Sequence, residues 1–372
     1  MNIPLFKIYW HEDDIQAVEK IIRSGKYWCT GSEIEEFEER INKYLGSKFC
    51  AVFNSGGSAL HSLMYAHGIG KGDEVIIPSF TFIATAFAPM YTGATPIFAD
   101  IEEATFGLDP DDVRERIGPK TKAIMPIHYG GVPCQIGALK DLAEEMNVLL
   151  VEDAAESFGA KYQGKNVGTF GDSGMFSFCH NKVFTTSEGG CIVTDDAELY
   201  ERVKLFRSYG RVLSGDYFGE VKDLDYIEVG YNFRMSTILA ALGMSQLGRV
   251  DESIRLRRRN AQYLNESLVD IEEIIVPQYD SKDNYEVYQM YTIRVKQGKA
   301  KRDALNGHLT KKGISAKVYF DPVHEYGVFA NREKIALPTT QMLSDQVLTL
   351  PMYPHMTDDE LVYIVGAIKE FF

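Results

Sequence analysis

Three groups of residues stand out for the chemistry they could do. Ser177-Phe178-Cys179-His180-Asn181-Lys182 runs into Thr185-Thr186-Ser187-Glu188-Gly189-Gly190, so a lysine sits in a loop of small polar residues between two apolar runs. A lysine in such a loop is ordinarily solvated, yet its primary amine can also condense with a carbonyl. Asp153 closes the run NVLLVED (147–153). A carboxylate there either holds a proton on a heterocyclic nitrogen or caps the segment that follows. Asn54-Ser55-Gly56-Gly57-Ser58 follows the run FCAVF and opens a helical pattern. Glycines admit a ligand close to the backbone, and the free N–H groups of a helix start favour a phosphate. A tight turn with a serine cap accounts for the same residues equally well.

The elements around these residues decide where they meet. Residues 13–25 carry Ile15, Val18, Ile21 and Ile22 at helical spacing, and 33–44 follows as a second helix with Ser32 as its cap. Short apolar runs then alternate with helical patterns: 49–54 with 58–67, 74–78 with 82–91, 95–100 with 109–117, 122–128 with 135–146, and finally 147–153. Such alternation predicts a mostly parallel sheet covered by helices on both faces. Strand-like runs at 174–178 and 190–194 flank the lysine loop. In open sheets of this kind ligands bind beyond the carboxyl ends of the strands, where all three groups fall. From about 237 the pattern changes to a long helix over 237–269, strands at 272–276, 286–295 and 314–318, and a closing helix at 357–371. The division expected is a large domain over 1–245 and a smaller α+β domain over 246–372.

Composition excludes some partners. The formal charge of −14 over 372 residues leaves no basic footprint for nucleic acid. Five scattered cysteines without C-x-x-C spacing predict a reducing compartment and no metal. The opening MNIPLFKIYWHEDD meets acidic residues too early for a secretory signal. Val75–Ala99 is uncharged and about long enough to span a bilayer, but Pro78, Pro89, Gly93 and Pro96 break it, and strand–helix–strand is the better reading. The expectation is a cytoplasmic protein without a membrane segment.

A phosphate cradle, a strand-end acid and a loop lysine are together what pyridoxal 5'-phosphate requires: donors for its phosphate, an acid for its ring nitrogen and an amine for its aldehyde. The runs V-E-D-A-A-E-S-F-G-A (151–160), G-D-S-G-M-F-S-F-C-H-N-K-V-F-T-T-S-E-G-G (171–190) and G-Y-N-F-R-M (230–235) resemble the DegT/StrS group of sugar-nucleotide aminotransferases. The resemblance extends from Thr30-Gly31-Ser32-Glu33 to Leu350-Pro351-Met352-Tyr353-Pro354. It implies a fold-type-I, aspartate-aminotransferase-like α/β fold with a mostly parallel mixed sheet.

The resemblance also implies roles. Lys182 anchors the cofactor and shuttles the proton, and Asp153 pairs with the ring nitrogen. Gly56, Gly57 and Ser177 hold the phosphate, Phe82 stacks on the ring, and Glu156 lies near the cofactor hydroxyl. Asn232 reaches the phosphate in a neighbouring subunit, which implies a homodimer with shared sites. Thr30, His128, Tyr319 and His324 fall at substrate positions. Gly57 stands where relatives often have Thr, so a hydroxyl contact must come from elsewhere, with Ser58 the candidate. His180 stands where many relatives have Gly. Some relatives replace the anchoring lysine by His and dehydrate sugars; Lys182 in register disfavours that branch. The implied reaction moves an amino group, with glutamate as donor, onto a nucleotide-linked 4-keto-6-deoxy sugar, in the manner of perosamine-synthase-type enzymes. Carbon-3 amination, a dehydratase and a non-catalytic cofactor-binding regulator are the alternatives. Arg255, Arg257, Arg258 and Arg259 read as a solvated, ion-paired helix face in preference to a nucleotide clamp, and Tyr27 and Trp28 as site cover or core.

Overall fold

The computed structural model describes residues 1–25, 28–212, 225–277, 282–332 and 334–372. Seven strands form the main sheet: β1 (Phe49–Phe53), β2 (Glu74–Pro78), β3 (Thr95–Ala99), β4 (Thr121–Ile124), β5 (Leu149–Asp153), β8 (Ser173–Ser177) and β9 (Gly190–Thr194), in the order β1-β9-β8-β5-β4-β2-β3. Every pairing is parallel except those of β9, which runs against both β1 and β8. The short strands β6 (Lys161–Tyr162) and β7 (Lys165–Asn166) pair with β11 (Asn284–Tyr285) in a separate ribbon.

Side-chain alternation explains why these runs are apolar throughout. Ala51, Phe53, Val75, Ile77, Val151, Met175 and Ile192 enter one core layer. Cys50, Val52, Phe176, Cys191 and Val193 enter a second, and Ile76, Ile124 and Leu150 a third. A strand covered on both faces has no solvent side to be polar on. The covering helices are α1 (Glu12–Ser24), α2 (Ser32–Leu45), α3 (Gly56–Ala66), α4 (Ile83–Tyr91), α5 (Pro110–Arg116), α6 (Ile136–Met146), α7 (Ala197–Arg207) and α8 (Thr237–Leu247). The uncharged stretch 75–99 is thus β2, α4 and β3, as its prolines predict. No helix among the described residues is long and apolar enough to cross a membrane.

A second core lies towards the carboxyl end. There α9 (Val250–Leu268), β10 (Ile274–Ile275), β12 (Tyr291–Val295), α10 (Lys299–Lys311), α11 (Pro338–Gln346), β13 (Val347–Leu350) and α12 (Asp358–Phe371) build an antiparallel sheet, β10-β12-β13, with its helices. Leu264, Leu268, Ile293, Leu305, Leu348, Leu350 and Ile364 fill it, joined by Ile3 from the amino end.

Four expectations change. Ser32 is the first residue of α2, and Gly31 occupies the cap position without a side-chain bond. The long helix over 237–269 is two helices. Gly248 gives weak helical support, and Arg249 leaves helical geometry (φ −124°) to pair with Asp14 of α1. Residues 314–318 make only single bridges, Ile3 to Ile314 and Lys317 to Thr349. Arg258 does pair with Glu286, at 2.8 Å, but Arg257 is not solvated. It is 2 % exposed, and its Nη1 donates to the carbonyls of Tyr288, Gln289 and Met352. Burial lowers its pKa to about 10. The basic run therefore has one member that ties together, from inside, the segments leading into β12 and out of β13.

Candidate active site

The carboxyl ends of β1, β5 and β8 open onto one cavity of about 640 Å³. At its floor Ser55 caps α3, its Oγ accepting the Ser58 N–H at 3.1 Å. Gly56 is the first residue of that helix. A Cβ there would lie 3.2 Å from Ser177 Cβ and 3.3 Å from Met175 Sδ. From the other side, a Cβ on Gly190 would lie 2.8 Å from the backbone of Gly56. The helix start is pressed onto the ends of β8 and β9; the close approach requires glycine at 190, and a Cβ at 56 would have to push the Ser177 and Met175 side chains aside. The backbone of Gly56 and Gly57 thus lines the cavity together with Ser55 and Ser177. Helix-start amides with a hydroxyl beside them suit a phosphate. Ser58 does not line this cavity. Its hydroxyl sits 2.9 Å from Ser55 Oγ, so Ser55 holds the place proposed for it.

Asp153 ends β5 and is 6 % exposed. Its Oδ2 accepts from Thr85 Oγ1 at 2.8 Å and its Oδ1 from the Ala155 N–H at 3.2 Å. Thr85 is held in turn by Thr81, hydroxyl to hydroxyl at 2.7 Å. Burial pushes the Asp153 carboxyl above its ordinary range. The Thr85 hydroxyl, the Ala155 N–H and the Lys182 charge pull the other way without prevailing. A buried carboxylate in that condition lacks a close cation. Thr85 escapes sequence reasoning because its link to Asp153 spans 68 residues. Its only trace is the pair Thr81 and Thr85, one helical turn apart.

Lys182 projects from the β8–β9 loop into the cavity, 3.4 Å from Glu156 Oε1. Glu156 Oε2 accepts the Gly130 N–H at 2.9 Å, which orients that carboxylate. Phe82, 62 % exposed at the start of α4, forms one wall. Tyr319 forms another, with Lys317 Nζ 4.7 Å above its ring. Phe6, Cys179, His180 and Glu188 also border the cavity.

The remaining expectations separate. His128 borders the cavity but has no ring nitrogen free. Nδ1 accepts the Cys134 N–H at 3.2 Å, which leaves Nε2–H to donate to Glu152 at 2.9 Å. Its place is structural. His324 lines a different groove, of about 1100 Å³, beside Phe98 and Arg332. There its Nδ1 is 2.6 Å from Ser79 Oγ. Thr30 does not border the cavity either; its Oγ1 is buried without a partner among the described residues. Asn232 is exposed and does not line the cavity, although its carbonyl accepts from Asn54 Nδ2 at 3.5 Å, one residue before the cavity-lining Ser55. Trp28 is 48 % exposed, and Tyr27 lies outside the described residues.

The arrangement fits pyridoxal 5'-phosphate on two observations: helix-start amides at Gly56 and Gly57 that open onto the cavity beside the Ser55 and Ser177 hydroxyls, and a buried acid short of a cation. Gly56, Gly57, Ser55 and Ser177 would hold the phosphate, Asp153 the protonated ring nitrogen, and Lys182 the aldehyde.

A family model described as the DegT/DnrJ/EryC1/StrS aminotransferase family matches residues 9–369. The chain is 36% identical over 370 residues to GDP-perosamine synthase of Escherichia coli O157:H7, covering 100% of this chain and 98% of that protein. Among solved structures it is similar to Helicobacter pylori PseC, an aminotransferase involved in the biosynthesis of pseudoaminic acid. There the TM-score is 0.94 at 27% identity, with 100% and 99% of the two chains covered. It is also similar to the PLP-form of a putative sugar aminotransferase from Streptococcus pneumoniae (TM-score 0.94, 26% identity, 100% and 98% covered).

Proposed function

The chain belongs to the DegT/DnrJ/EryC1/StrS aminotransferase family, and on that premise we propose that it aminates a nucleotide-linked 4-keto-6-deoxy sugar, with glutamate as donor, in the cytoplasm. It is a pyridoxal-phosphate-dependent sugar aminotransferase with the expected α/β fold. The observation that carries the residue assignment is the convergence on one cavity of Lys182, Asp153 and the Gly56 cradle. A relative named for a GDP-linked sugar supports the acceptor class.

When bound, the cofactor supplies an aldehyde for a primary amine and a ring that accepts electrons. Lys182 Nζ would anchor it through that aldehyde and, as a primary amine facing the cavity, would carry the proton at the reacting carbon. Such proton transfer typically contributes about 10²–10⁴-fold. Asp153, held by Thr85, would keep the ring nitrogen protonated. Glu156, tied to the Gly130 N–H, orients the anchoring amine.

The same reading includes a homodimer in which Asn232 of one protomer serves the other's site. Asn232 is exposed beside the large exposed side chains Tyr226, Ile227, Val229 and Tyr231, an apolar strip that a second copy would cover. A fully active monomer in solution would remove that part.

The decisive experiment is an absorption spectrum of the purified protein, followed by a screen of keto-sugar nucleotides with glutamate. The expected result is a bound-cofactor band and an amino-sugar nucleotide identified by mass. A protein that stays colourless with added cofactor, or that aminates no nucleotide-linked keto sugar, would overturn the proposal.

A further inference from the structure

Cys179, His180 and Glu188 meet at the edge of the cavity, on the two legs of the loop joining β8 to β9. Cys179 Sγ lies 3.3 Å from His180 Nδ1 and 3.8 Å from Glu188 Oε1. The three ligand atoms fall within 4.8 Å of one another. None of these residues has a part in the reaction above. Both contacts converge on sulfur, whereas a nucleophilic cysteine needs its carboxylate to orient the imidazole. We propose that the three side chains form a binding site for a borderline-soft divalent cation of the Zn²⁺ class.

Metal–ligand lengths of about 2.3 Å to sulfur and about 2.0–2.2 Å to nitrogen or oxygen give tetrahedral edges of roughly 3.6 Å from sulfur to either neighbour. The separations of 3.3 and 3.8 Å straddle that value, so an ion enters with shifts of a few tenths of an ångström on those edges. Thiolate and imidazole select against Mg²⁺ and Ca²⁺. On binding, the Cys179 thiol gives its proton to solvent. Thiolate and carboxylate then balance the charge of the ion, and the fourth position is left for water. The His180 ring leans on Phe6, centroids 5.0 Å apart, which pre-sets one ligand. A metal site of this kind leaves no C-x-x-C spacing in the sequence, because it uses a single cysteine. An ion here ties the start of the Lys182 loop to its end beside the cavity, so turnover falls as the site fills.

The test uses holoenzyme freed of adventitious metal with a chelator. Zn²⁺ is titrated against a chromophoric competitor, and Co²⁺ serves as a spectroscopic probe of sulfur ligation. The expected result is one ion per chain with Kd of about 1 μM or tighter. Cys179→Ser and His180→Gly should each weaken binding at least about tenfold, with the cofactor band reporting that each variant is folded. Glu188→Gln provides a third variant should either fail to fold. Wild-type binding weaker than about 1 mM, or binding indifferent to these substitutions, overturns the site. Full turnover at saturating Zn²⁺ overturns its effect on the loop. Because binding is read without substrate, failure of the sugar assignment leaves this result legible.

Discussion

The neighbours Glu152 and Asp153 point to opposite faces of β5, and the two faces treat a buried carboxylate in opposite ways. Glu152 is fully buried and saturated: Oε2 takes the Gly168 N–H at 2.7 Å and His128 Nε2–H at 2.9 Å, and Oε1 the Phe170 and Gly171 N–H groups at 2.6 and 2.8 Å. It fastens the 166–171 loop to the strand and has nothing left to offer. Asp153 is nearly as buried but holds one hydroxyl and one N–H, faces a cavity, and has its pKa raised by burial. Saturation marks a carboxylate that builds the fold. Shortfall marks one that awaits a ligand.

The comparison breaks first if the cavity face is not chemical. Lys182→Ala should lower turnover by at least about 10⁴-fold and abolish the bound-cofactor band, with circular dichroism unchanged. Turnover near the wild-type rate would remove Lys182 from its role. Asp153→Asn should come next, costing about 10²–10³-fold in kcat without weakening the fold. It should in fact favour the cofactor-free protein. Since burial raises the Asp153 pKa above its unfolded value, the folded chain binds that proton more tightly than the unfolded one. Stability therefore falls as pH rises from the ordinary aspartate range through the raised value, and the penalty persists above it. The asparagine variant carries no such penalty. Its thermal midpoint should exceed that of wild type at neutral pH, and the gap should close on acidification. A gap independent of pH would refute the sign.

Glu152→Gln reverses the pattern. It sets an NH₂ group against donors that need an acceptor, and each unsatisfied N–H costs about 1–3 kcal/mol. The expected loss is on the order of 3 kcal/mol in urea unfolding, with kcat per folded molecule nearly kept. Equal stability would sink the structural assignment.

Much of this was legible in sequence because of position. Lys182, Asp153 and Gly56 each follow an apolar run in an alternating strand–helix pattern, and the sheet rule sends all three to one edge. What was not legible depends on contacts between distant segments. Ser58 was the obvious spare hydroxyl, but its bond to Ser55 turns it away. His324 sits in a motif that resembles a substrate contact, yet Ser79, 245 residues earlier, holds it in another groove. Arg257 looked like one of a row of surface cations until the carbonyls it braces were in place. The need for glycine at 190 appears only once α3 is laid against β9.

The smallest effect tests whether the shortfall at Asp153 is tuned. Thr85 donates the shorter of its two hydrogen bonds and favours the ionised acid. Thr85→Val keeps the shape and removes that donor. The Asp153 pKa should then rise further, since burial acts with less opposition. One such bond, at about 1–1.5 kcal/mol, corresponds to a loss of roughly tenfold in kcat/KM. The acidic limb of the pH profile should move to higher pH, because the acid keeps its proton longer. Thr85→Ser retains the hydroxyl and should restore both rate and limb. A purely structural Thr85 would predict a lower thermal midpoint for the valine variant with the pH profile unmoved, and serine would rescue nothing. In that case the two faces of β5 would differ in how their acids are filled, but not in how the empty one is adjusted.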